Sequence, residues 1–376
     1  MSDNRRRYST LQKALKSLRP TEPKGNLARH LNTLALFVSG IVGSKKTSLP
    51  AIASAVPEGN QPVSRIRKME RWLDNDRIDH ETYYLPYVQI LLQSLALGPL
   101  VLAMDVSEVG EGCLALMLNL IYQKRALPLC WLIVSGKKGH LPVEQHIELV
   151  KKLAPLLPAE RSVIFVGDGE FDGCDLLSTL DGLGWKYACR TAKNVLLQEG
   201  ESAFFSPDDL LLAEGDDLWL ADVGFTKASY GPVQVGILWQ VGQARPLILV
   251  SNFEVIDEAF HWYKLRFRIE TFFSDQKSRG FYLCHSHIKD IRHMERLLIA
   301  CCLAYLWVVC LGALVVARGK LALIHRKSRC DWSLFHIGLA WIEYCLNEDL
   351  PLTVVFQVSR QRDVHECRTR KIDKST

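Results

Sequence analysis

The fold of this chain is decided by one stretch, Tyr263-Lys-Leu-Arg266-Phe-Arg-Ile-Glu270-Thr-Phe-Phe-Ser-Asp-Gln-Lys277. Placed on one continuous α-helix, its side chains separate into three faces instead of the two of an ordinary amphipathic helix. The first face is apolar and contains Leu265, Ile269, Phe272 and Phe273. The second is polar and contains Lys264, Arg268, Thr271 and Asp275. The third carries a hydroxyl, a guanidinium, a carboxylate and an ammonium group, on Tyr263, Arg266, Glu270 and Lys277. These groups suit a site for phosphates and metal ions, but a surface helix with an Arg266–Glu270 ion pair explains the spacing equally well.

The composition indicates a globular chain whose charge is unevenly distributed. Its 376 residues are enough for two or three domains, and 48% hydrophobic with 23% charged residues excludes a disordered chain. Residues 1–92 contain fifteen Lys and Arg against eight Asp and Glu, a larger excess than the +5 of the whole chain. A basic N-terminal module predicts a polyanionic partner, with a solvated helix surface as the alternative.

The cysteines indicate a reducing compartment. There are eleven, an odd number without a C-x-x-C pair, and most lie in apolar runs. This usage is typical of buried thiols, so we predict a cytoplasmic protein. The set Cys284, His285, His287 and His293 matches no tetrahedral zinc spacing.

One uncharged segment, residues 297–317, is long enough to span a bilayer. Because Cys, Ala, Gly and Tyr dilute it and a charged helical region precedes it, we favour a helix buried in a large core and predict no membrane contact. An anchored membrane protein is the alternative.

Residues 1–92 are predicted to form a helical DNA-binding domain. Helical spacing and capping signals place helices at 27–39, 47–56 and 62–73. The last helix carries four basic residues suited to DNA phosphates, namely Arg65, Arg67, Lys68 and Arg71. A solvated surface would show the same pattern.

From residue 93 the pattern changes to α/β. Strands are predicted at 100–106, 113–121, 126–134, 162–169 and 185–190, with helices at 143–154 and 171–183. The order β-β-β-α-β-α-β predicts a mixed sheet. Residues 195–250 are predicted to form a β-rich insertion, so the core comprises 93–194 and 251–320. Residues 321–376 are predicted to form a helical C-terminal region with a basic tail from Arg360.

Two predicted strands end in a carboxylate, Asp105 and Asp168. The ends of strands are where α/β sheets place their chemistry. If Glu270 joins these two residues, three carboxylates converge. They would repel one another unless divalent cations bind, and oxygen ligands favour Mg²⁺ or Mn²⁺.

Together these motifs resemble the bacterial DDE-class insertion-sequence transposases of the "insertion sequence four" family. The third face reproduces the Y-x2-R-x3-E-x6-K signature of that family. The segments around Asp105, Asp168, Arg190 and Arg65 are also similar to it. The sequence departs from the family pattern at Gly169, where a basic residue is common. Glu108 rivals Asp105, and Glu170 and Asp172 rival Asp168, but the strand-end positions favour the two aspartates.

The resemblance implies an RNase H-like core and two Mg²⁺ (or Mn²⁺) ions held by Asp105, Asp168 and Glu270. It implies cleavage at the element ends, often through a hairpin, and then strand transfer into target DNA. The expected partners are double-stranded DNA at terminal inverted repeats and a second copy of the chain, on the bacterial nucleoid. Expected DNA contacts are Tyr263, Arg266, Lys277, Arg190 and Lys193, with Trp239 stacking on a flipped base or packing in a core. The alternatives are a nuclease that does not integrate and a decayed, non-catalytic DNA-binding remnant.

Overall fold

The computed structural model describes residues 1–57, 61–136, 139–326 and 330–358, and it divides into two compact units. Unit 1 comprises Met1–Leu97 and the described residues from Ser274 onward, and unit 2 comprises Gly98–Phe273. The division into four domains predicted from the sequence is not tested by this division into two units and stays a prediction. The predicted basic tail from Arg360 lies outside the described residues.

The N-terminal part of unit 1 is helical, as predicted. Its described residues form the helices α1 (Asp3–Ser17), α2 (Gly25–Ser44), α3 (Leu49–Ser54), α4 (Pro62–Leu73), α5 (His80–Tyr83) and α6 (Leu85–Ser94). The predicted helices at 27–39, 47–56 and 62–73 correspond to α2, α3 and α4. Helix α4 packs Met69 and Trp72 into the core, while Arg67 and Arg71 stay exposed.

Unit 2 follows the predicted β-β-β-α-β-α-β order. Its first elements are β1 (Leu100–Gly110), β2 (Cys113–Tyr122), β3 (Arg125–Ser135), α7 (Val143–Leu153), β4 (Val163–Gly167), α8 (Cys174–Gly182) and β5 (Lys186–Arg190). Four further strands follow, β6 (Leu197–Gln198), β7 (Asp217–Phe225), β8 (Tyr230–Leu238) and β9 (Leu247–Ser251).

All nine strands form one mixed sheet in the order β3-β2-β1-β4-β5-β9-β8-β7-β6. Strand β9 pairs antiparallel with β5, where Arg190 lies opposite Leu249. The four strands contributed by residues 195–251 therefore extend the sheet beyond β5. The sequence predicted a β-rich insertion with strands near β7, β8 and β9, but it predicted neither β6 nor the continuity of these strands with the sheet.

The register of the sheet brings the two aspartates to the same level. Strands β1 and β4 run parallel, with Ala103 opposite Val166, and Asp105 and Asp168 each lie two residues farther along. The prediction that Asp105 ends its strand was wrong, because β1 continues to Gly110. The pairing of β4 with β1 ends at Ala103 and Val166, while β2 still pairs with β1 opposite Asp105, at Met117.

The stretch 263–277 is not the single helix that its periodicity suggested. Helix α9 (Ile256–Tyr263) ends at Tyr263, the first residue of this stretch. A 3₁₀ turn then covers Arg266–Arg268, and α10 (Ile269–Lys277) follows it. Most of the predicted apolar face is buried, including Ile269 and Phe272. Asp275, placed on the polar face, is also buried.

Two C-terminal helices belong to unit 1, α11 (Ile291–Ala317) and α12 (Leu334–Asn347). The prediction of a helix from residue 321 was wrong at its start, since Lys320–Leu323 form a 3₁₀ turn and α12 begins at Leu334. The two helices cross at glycines. A methyl group on Gly312 would overlap the carbonyl oxygen of Leu334, and one on Gly338 would overlap that of Val308.

The apolar segment 297–317 lies in α11 and is buried, as predicted. Among the described residues α11 is the one helix with the length and composition to cross a membrane, and 89% of its most apolar window is buried within the protein. The predicted buried cysteines Cys113, Cys130, Cys189, Cys301, Cys302 and Cys310 are also buried and carry no disulfide.

Candidate active site

Three carboxylates meet at one guanidinium group in unit 2. Nη1 of Arg266 lies 3.7 Å from Oδ2 of Asp105 and 3.7 Å from Oδ2 of Asp168. Nη2 of the same side chain lies 3.6 Å from Oε1 of Glu270, four residues later. Asp105 comes from the middle of β1, Asp168 follows β4, and Glu270 is in the first turn of α10. The structure therefore brings the three predicted carboxylates together.

These carboxylates remain accessible from solvent to different degrees. The side chains of Asp105, Asp168 and Glu270 are 21%, 35% and 60% exposed, whereas that of Arg266 is 9% exposed. One positive charge balances at most one of three negative charges, so the cluster retains an excess of negative charge. Oxygen donors with such an excess suit a divalent cation such as Mg²⁺.

The cluster is nevertheless not arranged as a finished metal site. Within the described residues no three His, Cys, Asp or Glu side chains are grouped so that they could hold one ion. The oxygen atoms instead contact the guanidinium of Arg266. The residue types fit Mg²⁺ or Mn²⁺, but this arrangement has a protein cation among the oxygens.

Two of the rival carboxylates, Glu108 and Glu170, are directed away from this cluster or held by other groups. Glu108 lies three residues after Asp105 on the same strand, and side chains at odd separations point to opposite faces of a sheet. Oε1 of Glu170 accepts a hydrogen bond of 2.8 Å from the backbone N–H of Leu141, and lies 3.8 Å from Nε2 of His146. Asp172 is partly buried, and desolvation raises its pKa, with the charge of Asp168 adding to the shift.

Tyr263 lies next to the cluster but is almost fully buried, with 2% of its surface exposed. Burial raises the pKa of its hydroxyl, and the positive charges of Arg266 and Arg190 oppose that shift. Lys277 is half-buried at the end of α10, two helical turns after Glu270 and on the same face of the helix.

A cavity of about 1010 Å³ opens beside Asp168. Its walls include three residues predicted from the sequence, Arg190, Lys193 and Trp239. Lys193 forms an ion pair of 2.9 Å with Asp208, and Nε1 of Trp239 donates a hydrogen bond of 2.8 Å to the carbonyl oxygen of Gln243. The structure thus places Asp168 and these three predicted DNA contacts on one concave surface.

The cavity also contains residues that the sequence analysis missed. These are His140, Arg245, Pro246, Ile248 and the apolar residues Leu210, Leu211 and Leu212. No motif marks them. The available signal was positional, because Arg245 and Pro246 directly precede β9, which pairs with the strand that carries Arg190.

The four basic residues predicted to contact DNA on α4 lie in unit 1. Arg67, Lys68 and Arg71 are exposed, so their side chains are available to a polyanion. Arg65 is half-buried and donates a hydrogen bond of 3.4 Å to the carbonyl oxygen of Val56. It therefore offers less of its surface than the other three.

A profile of the family described as "Transposase DDE domain" matches residues 109–307 of this chain. The matched segment contains Asp168, Arg266 and Glu270 and begins after Asp105. Among solved structures, the chain is similar to a cryo-EM structure of the piggyBac transposase synaptic complex with hairpin DNA. The identity is 12% and the TM-score 0.49, with 93% of this chain and 83% of that chain covered. A search of curated proteins finds no match.

Proposed function

This chain belongs to the DDE transposase-domain family, and from that premise we propose that it cuts the ends of an insertion sequence and joins them to target DNA. The observation that supports this proposal is the convergence of Asp105, Asp168 and Glu270 on one point, within 3.7 Å of Arg266. We propose these three residues as the catalytic carboxylates, on an RNase H-like core formed by β3-β2-β1-β4-β5.

The three carboxylates would hold two Mg²⁺ or Mn²⁺ ions, as DDE transposases generally bind divalent metal. When bound, such ions supply activation of the attacking oxygen and stabilisation of the leaving oxygen in phosphoryl transfer. Asp105 and Asp168 are fixed by the sheet, so they would set the position of the site. Glu270 is the most exposed of the three and lies on a helix, so it would complete the site from the solvent side.

The cavity beside Asp168 would hold DNA next to the reacting phosphate. Its basic residues suit the phosphate backbone, and Trp239 offers a ring on which an unpaired base can stack. We propose that Tyr263, Arg266, Lys277, Arg190 and Lys193 contact the element end, and that Arg65, Arg67, Lys68 and Arg71 bind its terminal inverted repeat. The reaction would be cut-and-paste through a hairpin, by a homodimer on the bacterial nucleoid.

The test is a cleavage assay on DNA that carries the inverted repeats flanking the gene, analysed on denaturing gels. The wild-type chain is expected to nick the repeat ends only with Mg²⁺ or Mn²⁺ and to join them to a target plasmid. Glu270→Gln is expected to abolish both steps while DNA binding persists. Glu258→Gln, an exposed glutamate in the first turn of α9, is the matched control.

The outcomes separate this proposal from its alternatives. Metal-dependent nicking without strand transfer would identify a nuclease. DNA binding without any nicking would identify a catalytically decayed remnant. If Glu270→Gln cleaves as fast as Glu258→Gln, the assignment of the catalytic carboxylates is wrong.

A further inference from the structure

Arg266 is placed unlike a residue whose first role is to contact DNA. The whole residue Arg266 is buried, with 7% of its surface exposed. The basic residues Arg67 and Arg71 of α4, in contrast, lie on the surface. The guanidinium carbon of Arg266 lies 4.7 Å from the ring centre of Phe267, and its nitrogen atoms face the three carboxylates. The positive charge is directed into the protein, at the atoms that would bind metal.

The contacts between Arg266 and the three carboxylates are long, although the arginine is buried. Distances of 3.6–3.7 Å to the carboxylate oxygens are ion-pair distances, longer than the charge-assisted hydrogen bonds of a bidentate pair. Its Nε atom is buried and has no hydrogen-bond partner among the described residues. The guanidinium is therefore held mainly by the summed charge of the carboxylates and by the neighbouring side chain of Tyr263, without a bidentate pair to any one carboxylate.

We propose that Arg266 is a placeholder cation, which keeps Asp105, Asp168 and Glu270 together before divalent ions bind and competes with those ions for the same oxygen atoms. The inference rests on the proposed function, since it takes the three carboxylates as metal ligands. The contact of Arg266 with the carboxylates and the binding of metal to them exclude each other. Because such coupling is reciprocal, the arginine weakens metal binding by the same factor by which metal weakens the contacts of the arginine. Removing the placeholder should therefore tighten metal binding and destabilise the metal-free protein.

The experiment compares full-length variants stripped of metal, without DNA. Arg266→Met removes the charge and keeps an unbranched stem, Arg266→Lys keeps the charge without the planar fork, and Lys264→Met is the control for an exposed cation two residues away. Mn²⁺ affinity is measured by calorimetry, and thermal unfolding is measured with EDTA and with saturating Mn²⁺.

Arg266→Met is expected to bind Mn²⁺ about 5- to 150-fold more tightly than wild type, the usual range of such coupling. Its melting temperature should be lower than that of wild type in EDTA and should recover in Mn²⁺. Arg266→Lys should bind Mn²⁺ with an affinity between those of wild type and Arg266→Met, which keeps the test usable if Arg266→Met does not fold. Lys264→Met should match wild type.

Two results would overturn the inference, and they differ in what else they overturn. Asp168→Asn, which removes a proposed metal ligand, is measured beside these variants. Suppose that wild type binds Mn²⁺ and Asp168→Asn does not, but that both Arg266 variants bind no tighter than wild type. The placeholder role is then wrong, but the metal site stands. If wild type and all variants fail to bind Mn²⁺, the proposed metal site is wrong and the placeholder role with it.

Discussion

Oδ2 of Asp105 and Oδ2 of Asp168 lie at the same distance, 3.7 Å, from a single nitrogen atom, Nη1 of Arg266. The two aspartates are far apart in sequence, and the parallel register of β1 and β4 brings them together. Since the register of these strands determines where the two carboxylates meet, substitution of a side chain that points toward Arg266 should affect activity more than substitution of a neighbour that points away.

Asp105→Asn is expected to lower metal-dependent DNA cleavage more than about 100-fold, because loss of a metal-binding carboxylate should exceed the 10- to 100-fold effect of an outer-shell partner. Glu108→Gln on the opposite face of β1 is expected to stay within about twofold of wild type, as surface substitutions usually do. Initial cleavage rates at saturating DNA measure both. Equal losses in the two variants would mean that β1 does not present Asp105 to the reaction.

Asp172→Asn is expected to stabilise the metal-free protein at neutral pH. Burial raises the pKa of Asp172, so the folded state favours its protonated form. Its contribution to stability is thus present below the unfolded pKa and is lost as pH rises through the folded pKa. The variant should melt higher than wild type at pH 7 in EDTA, and the two should converge near pH 4, the ordinary range of an aspartate. A gain of the same size at both pH values would contradict this explanation.

Arg245→Gln is expected to weaken DNA binding in a salt-dependent manner. Arg245 lines the cavity beside Asp168 and is exposed. If it contacts one phosphate, its loss should reduce the slope of log affinity against log salt by about one. Fluorescence anisotropy on DNA with an unpaired end, at several salt concentrations, measures the slope. Lys227→Gln, an exposed cation outside the cavity lining, should leave it unchanged.

Gly338→Ala is expected to destabilise unit 1 by about 1–3 kcal/mol, the usual cost of overpacking. The added methyl group meets the backbone of Val308, which a rotamer change cannot move. Gly182→Ala is the control, since it also lies in a helix and its methyl group would meet nothing within 4 Å. Urea unfolding followed by circular dichroism compares them. Similar midpoints would mean that α11 and α12 do not cross closely.

The sequence predicted local elements better than the relationships between them. Alternation and capping located β1 to β5 and α4 because those signals depend on neighbouring residues. The same periodicity wrongly extended a helix through Leu265, because the 3₁₀ turn at Arg266–Arg268 separates α9 from α10 and still keeps the i,i+4 contact between Arg266 and Glu270. The convergence of the carboxylates could be predicted from one motif and two aspartates after apolar runs, although β1 continues past Asp105.

The remaining features depend on contacts between segments that are distant in sequence. Nothing in the residues around Arg266 indicates that its side chain is buried among the carboxylates, since that depends on where β1 and β4 lie. No motif marks the cavity residue Arg245, which reaches the cavity beside Asp168 because the strand that it precedes, β9, pairs with β5. Sequence periodicity describes the faces of an element, and it does not contain the register between elements.

The continuity of the nine-stranded sheet bears on the thermodynamics of ligand binding. Arg190 on β5 and Ile248 on β9 line the same cavity, and the backbone N–H of Thr191 donates a hydrogen bond of 3.0 Å to the carbonyl oxygen of Ile248. The part of the wall formed by β5 and β9 is thus joined by backbone hydrogen bonds. A ligand that contacts this part of the cavity meets two strands that are already paired, so binding there does not carry the entropy cost of ordering them.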